Sequence, residues 1–516
     1  MPRILWIDDE IDLFTPHIRM LEAKGYEVVK ASNGADGVEE VMRAQPDAVL
    51  LDEQMAGMGG LETLAAIKEA RPATPVVMVT KSEEEHLMEE ALGSQIADYL
   101  TKPVNPSQIL LTLKRLLDQQ RLTGEKVQSD YLQQFGQITQ RLGGRLDFQE
   151  WTELYRELVR FDVEIGSEEG VRQILDDQYR EANRQFGKFI EDEYPGWIAQ
   201  DGPSDSRPPL SHEVVSQFVV PHLRDKKKVV LLVIDCMRYD QWLEFENLVG
   251  GLFDLTRDFH YGLLPTATPF SRNAIFSGLL PRDIARLYPQ KWNREGDEHS
   301  LNEHEEEFLA DQLHRKHLKD VRMKYQKIVS TRDGRELAAK ASDLSQSDLS
   351  AIVVNFVDIL AHSRSESSVL REIAPDERAY RALTRTWFEH SWLRQTLESL
   401  AEQDAVVVIT TDHGAIRCLH DTKVIGDRDT STALRYKHGR QVKADSKHAI
   451  VIDDPNAWGL PQQGANENFI IAKEDYYFVY PTNYNHYQNR YRDTMQHGGA
   501  SLEEVILPVI TLRGRK

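Results

Sequence analysis

The sequence predicts an α/β protein of several domains, and three observations carry that prediction. Short apolar or β-branched runs that end in acidic or histidine residues recur in both halves of the chain, with helical periods between them. From about residue 106 to 200, apolar residues recur at helical spacing alone. The 516 residues also exceed what one hydrophobic core accommodates. These shifts place a doubly wound α/β domain at 1–118, a helical bundle and linker at 119–205, and a second, larger α/β domain at 206–516.

Composition narrows the function classes. Apolar residues make up 41% of the chain, enough to fill several cores, yet no window reaches the roughly 18 uncharged apolar residues of a membrane span. The start shows no basic segment followed by an apolar one, so no secretion signal is expected. With two cysteines, Cys236 and Cys418, disulfides do not hold the fold, and a reducing, cytoplasmic setting is expected. A formal charge of −21 opposes binding to duplex DNA and anionic membranes.

In the first segment, Ile4–Ile7 ends in Asp8-Asp9-Glu10, Ala48–Leu51 ends in Asp52, Val76–Val79 ends in Thr80, and Asp98–Thr101 leads to Lys102-Pro103. A parallel sheet of four such strands, each followed by a helical period, collects Asp8, Asp9, Asp52, Thr80 and Lys102 at its carboxyl edge. Crowded carboxylates repel unless a hard divalent cation such as Mg²⁺ sits among them. Asp52 can then act as a nucleophile toward phosphorus, with the Thr80 hydroxyl and Lys102 ammonium holding phosphoryl oxygens.

This set resembles the two-component receiver family, whose fold is the CheY-like doubly wound sheet. The resemblance implies Asp52 as phosphoacceptor, Thr80 as switch hydroxyl, Tyr99 as rotating aromatic, and a Mg²⁺ shell of Asp8, Asp9, Asp52 and the Gln54 carbonyl. Ala56 stands where the family usually has proline, a difference in loop stiffness.

The middle segment carries three helical stripes: Ile109, Leu110, Leu113, Leu116 and Leu117; Trp151, Leu154, Tyr155, Leu158 and Phe161; and Val171, Ile174, Leu175, Tyr179, Phe186 and Phe189. They predict a bundle that spaces the receiver from the C-terminal domain, and residues 201–210 read as a linker of turn formers.

In the last segment Val229–Ile234 ends in Asp235, Ala351–Val357 precedes Asp358-x-x-x-His362, and Val406–Thr411 ends in Asp412-His413-Gly414. Thr268 heads a small-residue helix, where a hydroxyl faces a positive dipole end, and His497-Gly498-Gly499 precedes the final strand. Carboxylates and imidazoles converging at strand ends make a dinuclear metal site the sharpest hypothesis.

The order of these residues resembles the alkaline phosphatase superfamily, and Asp235-Cys-Met-Arg238-Tyr-Asp240 with Leu264-Pro-Thr-Ala-Thr268 resembles its PglZ-type branch. The resemblance implies two Zn²⁺ ions, one held by Asp358, His362 and His497 and the other by Asp235, Asp412, His413 and the nucleophile Thr268; the donor set leaves Mn²⁺ open. It also implies in-line attack by Thr268 on phosphorus. Ser271, Arg272 and Asn273 are candidates to hold a non-bridging oxygen, although a related branch has Asn where this chain has Ser271.

Two features bear on substrate. Residues 417–447 carry eight Lys/Arg against four Asp, and Tyr476, Tyr477, Phe478, Tyr480, Tyr484, Tyr487 and Tyr491 come next, interleaved with Asn485, His486, Arg490 and Arg492. They suit nucleotides or single-stranded oligonucleotides, or the tyrosines simply pack a cap subdomain. The acidic stretch Glu295–Asp311 reads as a solvated helix or loop.

Receiver, helical bundle and PglZ-type domain together resemble PorX-like response regulators. That resemblance implies a sensor histidine kinase, dimerisation on phosphorylation, a sigma factor partner, and control of type IX secretion. The favoured reading is a response regulator whose output is a zinc phosphodiesterase or phosphatase. The rival is a nucleotide-sensing or partner-docking module with little turnover. A DNA-binding regulator is the third reading, and the net charge opposes it.

Overall fold

Two sheets place the acidic strand ends of the candidate sites, Asp8, Asp52, Asp235 and Asp412. The computed structural model describes residues 2–515 except 72–73, 81–95, 166–168, 201, 203, 293–301, 427–432, 463, 465 and 483. The helical period after Val79, part of the acidic stretch and part of the basic stretch therefore lie outside the described residues. The chain divides into two compact units, Met1–Asp130 and Tyr131–Lys516. The helix Pro106–Leu142 begins in the first unit and ends in the second.

The first unit is a five-stranded parallel sheet of β1 (Arg3–Ile7), β2 (Glu27–Ala31), β3 (Ala48–Asp52), β4 (Val76–Thr80) and β5 (Asp98–Thr101), in the order β2-β1-β3-β4-β5. Strand alternation sends Ile4, Trp6, Leu50 and Val77 into one core and Leu5, Ile7, Val49 and Leu51 into the other. The sequence predicts four strands where the structure has five. The additional one, β2, is an edge strand whose Glu27 and Lys30 break the apolar run, and only Ala31 of its five residues is buried.

The second unit holds a six-stranded mixed sheet. Its strands are β6 (Lys228–Ile234), β7 (Phe253–Tyr261), β8 (Met323–Ile328), β9 (Leu349–Val354), β10 (Ala405–Thr410) and, after the insertion, β18 (Ile506–Gly514), in the order β7-β18-β10-β6-β9-β8. The strands β10, β6, β9 and β8 run parallel, while β18 is antiparallel to both β10 and β7. The central three are buried almost throughout, which is why they read as unbroken apolar runs. The insertion folds into three small sheets: β11 (Ile416–Cys418) with β17 (Thr494–Gln496), β12 (His420–Lys423) with β16 (Tyr476–Val479), and β13 (Tyr436–Arg440), β15 (Glu467–Ala472) and β14 (Ala449–Ile452).

The helices Phe148–Glu164 and Glu169–Ile198 belong to this second unit. Trp151, Leu154, Tyr155, Leu158 and Phe161 are buried, as are Leu175 and Phe186, so the stripes face packed surface. Asp147 caps the first of these helices through a capping box with Glu150.

Candidate metal centres and phosphoacceptor

The receiver edge assembles as its strand ends dictate. Asp8 follows β1, Asp52 closes β3, Thr80 closes β4 and Lys102 follows β5. Ligand atoms of Asp8, Asp9 and Asp52 lie within 4.8 Å of one another. The Lys102 ammonium bridges two of them, 2.9 Å from Asp52 Oδ1 and 3.0 Å from Asp8 Oδ2. Burial, followed by the charges of Asp8 and Asp9, raises the Asp52 pKa against the pull of Lys102. Three carboxylates against one ammonium leave the edge electron-rich, and its oxygen donors fit Mg²⁺. Thr80 is buried, Tyr99 is 38% exposed, and Gln54 lies on the exposed loop after Asp52.

In the second unit the residues gather into two triads. Asp235, Asp412 and His413 present ligand atoms within 4.8 Å of one another, and so do Asp358, His362 and His497. Asp235 follows β6, and Asp412 and His413 follow β10, the strand beside it. The other carboxylate-histidine pair is carried differently from the sequence expectation. Strand β9 ends at Val354, not Val357, and Asp358 and His362 stand four apart on the helix Phe356–Glu366. One helical turn brings them together, with His362 Nε2 at 3.3 Å from Asp358 Oδ1. His497 follows β17 and lies 3.9 Å from the same oxygen.

The triads abut through their imidazoles. The His413 and His497 rings stack with centroids 4.2 Å apart, and His362 meets His497 edge-on at 5.7 Å. Thr268, at the first position of the helix Thr268–Ser277, puts its hydroxyl 2.9 Å from His413 Nε2. The hydroxyl thus sits beside the Asp235 triad, at a helix end where negative charge is favoured.

Electrostatics separate the two carboxylates at the heart of the triads. Burial raises Asp235 well above the usual carboxylate range, with Asp412 and Asp358 adding to it and Arg272 opposing. Burial works the same way on Asp358, yet the hydrogen bond and charge of His362, with His497 and His413, hold its pKa well below that range. Asp235 Oδ1 and Asp412 Oδ2 are buried without a hydrogen-bond donor among the described residues, 3.6 and 3.8 Å from His413 Nε2. Buried carboxylate oxygens of this kind fit a divalent cation, and the mix of nitrogen and oxygen donors fits Zn²⁺.

Ser271, Arg272 and Asn273, the candidates to hold a non-bridging oxygen, are engaged within the protein. Ser271 Oγ donates to the Leu263 carbonyl at 3.0 Å, and Asn273 Nδ2 donates to the Pro269 carbonyl at 2.9 Å. Arg272 is buried and ion-paired with Asp235 Oδ2 and, at 2.6 Å, with Glu305 Oε1. It orients a carboxylate of the Asp235 triad. Glu305 also accepts from the Tyr325 hydroxyl. It begins the helix Glu305–Arg315 and is 1% exposed, so the acidic stretch is not wholly solvated. No local signal separates Glu305 from its exposed neighbours, because its partner is 33 residues away.

The tyrosines of the insertion pack. Tyr477 is fully buried and its hydroxyl donates to the Gln488 carbonyl at 2.8 Å, while Tyr484, Tyr487 and Tyr491 lie against Ile416, Cys418, Tyr477 and Val479. A cavity of about 650 Å³ opens between the bundle helices and the insertion, lined by Tyr155, Arg172, Tyr179, Glu377 and Asp475 among others. None of the triad residues lines it.

Comparison with known proteins bears on this geometry. The family model of the BREX system PglZ alkaline phosphatase-like domain matches residues 214–512, more than half of the chain. The chain belongs to the PglZ alkaline phosphatase-like family. The response regulator receiver domain matches residues 4–114, and the PorX response regulator linker domain matches 121–198, so the order is that of a PorX-like regulator.

Curated relatives match about a quarter of this PglZ-family chain. ZraR of Klebsiella oxytoca is 38% identical over 135 residues, 26% of this chain and 30% of ZraR, so the match spans under a third of that relative. PilH of Pseudomonas aeruginosa is 38% identical over 119 residues, 23% of this chain and 98% of PilH. Among solved structures, CheY4 of Vibrio cholerae is 31% identical with a TM-score of 0.21, covering 23% of this chain and 99% of that one. TrrA of Thermotoga maritima, solved with Mg²⁺-BeF, is 26% identical with a TM-score of 0.21, over 23% of this chain and 100% of its own. A response regulator receiver domain followed by a PglZ alkaline phosphatase-like domain is the arrangement of a two-component regulator. Among the described residues, no helix is long and apolar enough to cross a membrane.

Proposed function

We propose that the chain is a response regulator, phosphorylated on Asp52, whose output domain is a zinc-dependent phosphodiesterase or phosphatase. The observation that carries the reading is Thr268 beside His413, flanked by two abutting triads of carboxylates and imidazoles. Asp235, Asp412, His413 and Thr268 would hold one Zn²⁺, and Asp358, His362 and His497 the other. When bound, the two ions supply Lewis acidity at the attacking and leaving oxygens. Thr268 Oγ1 attacks phosphorus as its proton passes to solvent, the bond from phosphorus to the ester oxygen breaks and that oxygen leaves with a proton from solvent, and water then hydrolyses the phosphothreonine. Burial of Thr268 and His413 keeps bulk water from the nucleophile.

In the receiver, Asp8, Asp9, Asp52 and the Gln54 carbonyl would hold Mg²⁺ while a sensor histidine kinase supplies the phosphoryl group. Thr80, Tyr99 and Lys102 would read it out and favour a homodimer. We assign 1–118, 119–205 and 206–516 to switch, bundle with linker, and output. Likeness to PorX-like regulators extends the proposal to type IX secretion control, with a sigma factor as partner.

Nucleotides or oligonucleotides are the proposed substrates. Support comes from the basic insertion, where Lys423, Lys443, His448 and Tyr484 line, together with Asp421 and Asp445, a cavity of about 440 Å³ and the Lys423 ammonium lies 5.0 Å from the Tyr484 ring centre. The test is hydrolysis of bis(p-nitrophenyl) phosphate and of linear and cyclic dinucleotides by the full chain. Chelator-sensitive turnover lost in Thr268→Val supports the reading, and equal turnover by Thr268→Val rejects it.

A further inference from the structure

The helix Glu169–Ile198 touches the flanks of both triads without supplying a ligand to either. Asn183, 5% exposed, accepts the Leu502 backbone N–H on Oδ1 at 2.8 Å and donates through Nδ2 to Glu503 Oε2 at 3.1 Å. It thereby grips the turn Ser501–Glu504. The next carboxylate in that turn, Glu504, is fully buried and accepts from Gly499 N at 2.8 Å and Ser501 N at 3.2 Å, besides pairing with Arg435. Gly499 is two residues beyond His497. The same turn abuts the other histidine: a Cβ on Gly414 would meet the Glu503 carbonyl oxygen at 1.9 Å, and Gly414 follows His413 directly.

Eleven residues further along the helix, Tyr194 is fully buried, and its hydroxyl oxygen accepts the Leu264 N–H at 3.0 Å. Leu264 opens the loop to Thr268, and Thr266 on that loop donates to the Gly499 carbonyl at 2.7 Å. The Tyr194 ring is held in turn by stacking on Trp458 at 5.3 Å. Eleven residues are close to three helical turns, so Asn183 and Tyr194 share one face, about 16 Å apart along the axis. One rigid rod therefore fixes the loop before the nucleophile and the loop after His497, and those loops are bonded to each other.

We infer that Asn183 and Tyr194 are positioning residues, through which the bundle helix sets the spacing of Thr268 against His497. The inference rests on the proposed hydrolase reading. Neither residue touches a metal ligand directly. Loss of a group that hydrogen-bonds a metal ligand typically costs about 10- to 100-fold in metal affinity or activity, and Asn183 and Tyr194 act one step further out, through backbone.

The test uses the full chain loaded with zinc. Zinc retention is followed by titration with a chromogenic chelator, and kcat and KM are measured separately on bis(p-nitrophenyl) phosphate. Asn183→Ala is expected to weaken the zinc equivalent bound through His497 about tenfold, and the one bound through His413 less, because the turn it grips reaches both loops. Asn183→Gln, which keeps the amide one methylene away, gives a smaller shift in the same equivalent and serves as the probe if the alanine variant does not fold. Tyr194→Phe is expected to keep both zinc affinities and KM while lowering kcat about tenfold. Arg184→Ala, exposed on the same helix, leaves all four quantities unchanged. Zinc titrations of Asn183→Ala or Asn183→Gln that overlay wild type, or an unchanged kcat in Tyr194→Phe, overturn the inference. Wild-type protein that holds two zinc ions but hydrolyses no phosphodiester sinks the catalytic reading instead, while a selective zinc shift in the Asn183 variants still supports the positioning role.

Discussion

Thr268 Oγ1 and His413 Nε2 lie 2.9 Å apart, and the stacking of His413 on His497 places that hydroxyl at the junction of the two triads. A hydroxyl among three buried carboxylates and three imidazoles is a poor structural choice unless cations share the space. That arrangement has consequences for stability, metal affinity and activity.

Arg272 is the protein's own cation in the Asp235 triad. Arg272→Met leaves Asp235 and Glu305 buried without their partner, and loss of a buried charge partner costs about 3–5 kcal/mol. Urea denaturation of the metal-free protein should show a loss of that size. Saturating zinc should reduce the loss, because the ion supplies positive charge beside Asp235. A variant as stable as wild type without metal would contradict the role given to Arg272.

Gly499 is a matter of space. A Cβ there would meet Arg435 Nη2 at 2.1 Å, and Arg435 is fully buried in its pair with Glu504. Gly499→Ala should therefore cost about 1–3 kcal/mol by overpacking and lower the affinity of the zinc bound through His497. Thermal unfolding and chelator titration check the two effects. Unchanged values in both would show that the loop has slack.

Much of this was legible in the sequence, and the reasons differ by element. The buried strands announce themselves as β-branched runs, and their last residues fall where a parallel sheet must gather them, so Asp52, Asp235 and Asp412 could be placed before any coordinates. Local pattern could not find β2, whose exposed edge tolerates charge, nor the early end of β9, because Phe356 and Val357 continue its apolar run into a helix. Nor does local pattern show why Gly414 is glycine: its lack of a side chain makes room for the Glu503 carbonyl, 89 residues away. Glu305, Asn183 and Tyr194 were invisible because their partners are 20 to 320 residues away. Ser271 Oγ and Asn273 Nδ2 each donate to a backbone carbonyl within eight residues, an engagement their place at the head of a helix does not announce.

Lys437 gives a pH signature away from the triads. Burial pushes its pKa down to about 7 from an ordinary 10.5, and its ammonium lies 5.1 Å from the Tyr480 ring centre. In the unfolded chain the amine stays protonated up to the ordinary value, so between about pH 7 and 10.5 unfolding takes up a proton. Its contribution is least favourable below pH 7 and improves as pH rises through that window, because the unfolded state binds more protons there. Lys437→Met should be more stable than wild type by about 1–3 kcal/mol at pH 6.5, with the difference shrinking toward pH 10. Urea midpoints at the two pH values provide the check, and a constant difference would contradict it.

The receiver should respond to a phosphoryl mimic. Lys102 bridges Asp8 and Asp52, so charge added at Asp52 redistributes that pair and draws on Thr80. Sedimentation velocity with beryllofluoride and Mg²⁺ should show a concentration-dependent dimer that Asp52→Asn does not form. A monomer under those conditions would count against phosphorylation-driven pairing.

The most direct measurement is the zinc content of purified chain by elemental analysis, for wild type, His413→Ala and His497→Ala. Two equivalents in wild type, falling to about one in either variant, is the predicted result, because each histidine belongs to a different triad. Wild-type protein that retains no zinc after loading and dialysis, while folded, would contradict the account at its centre.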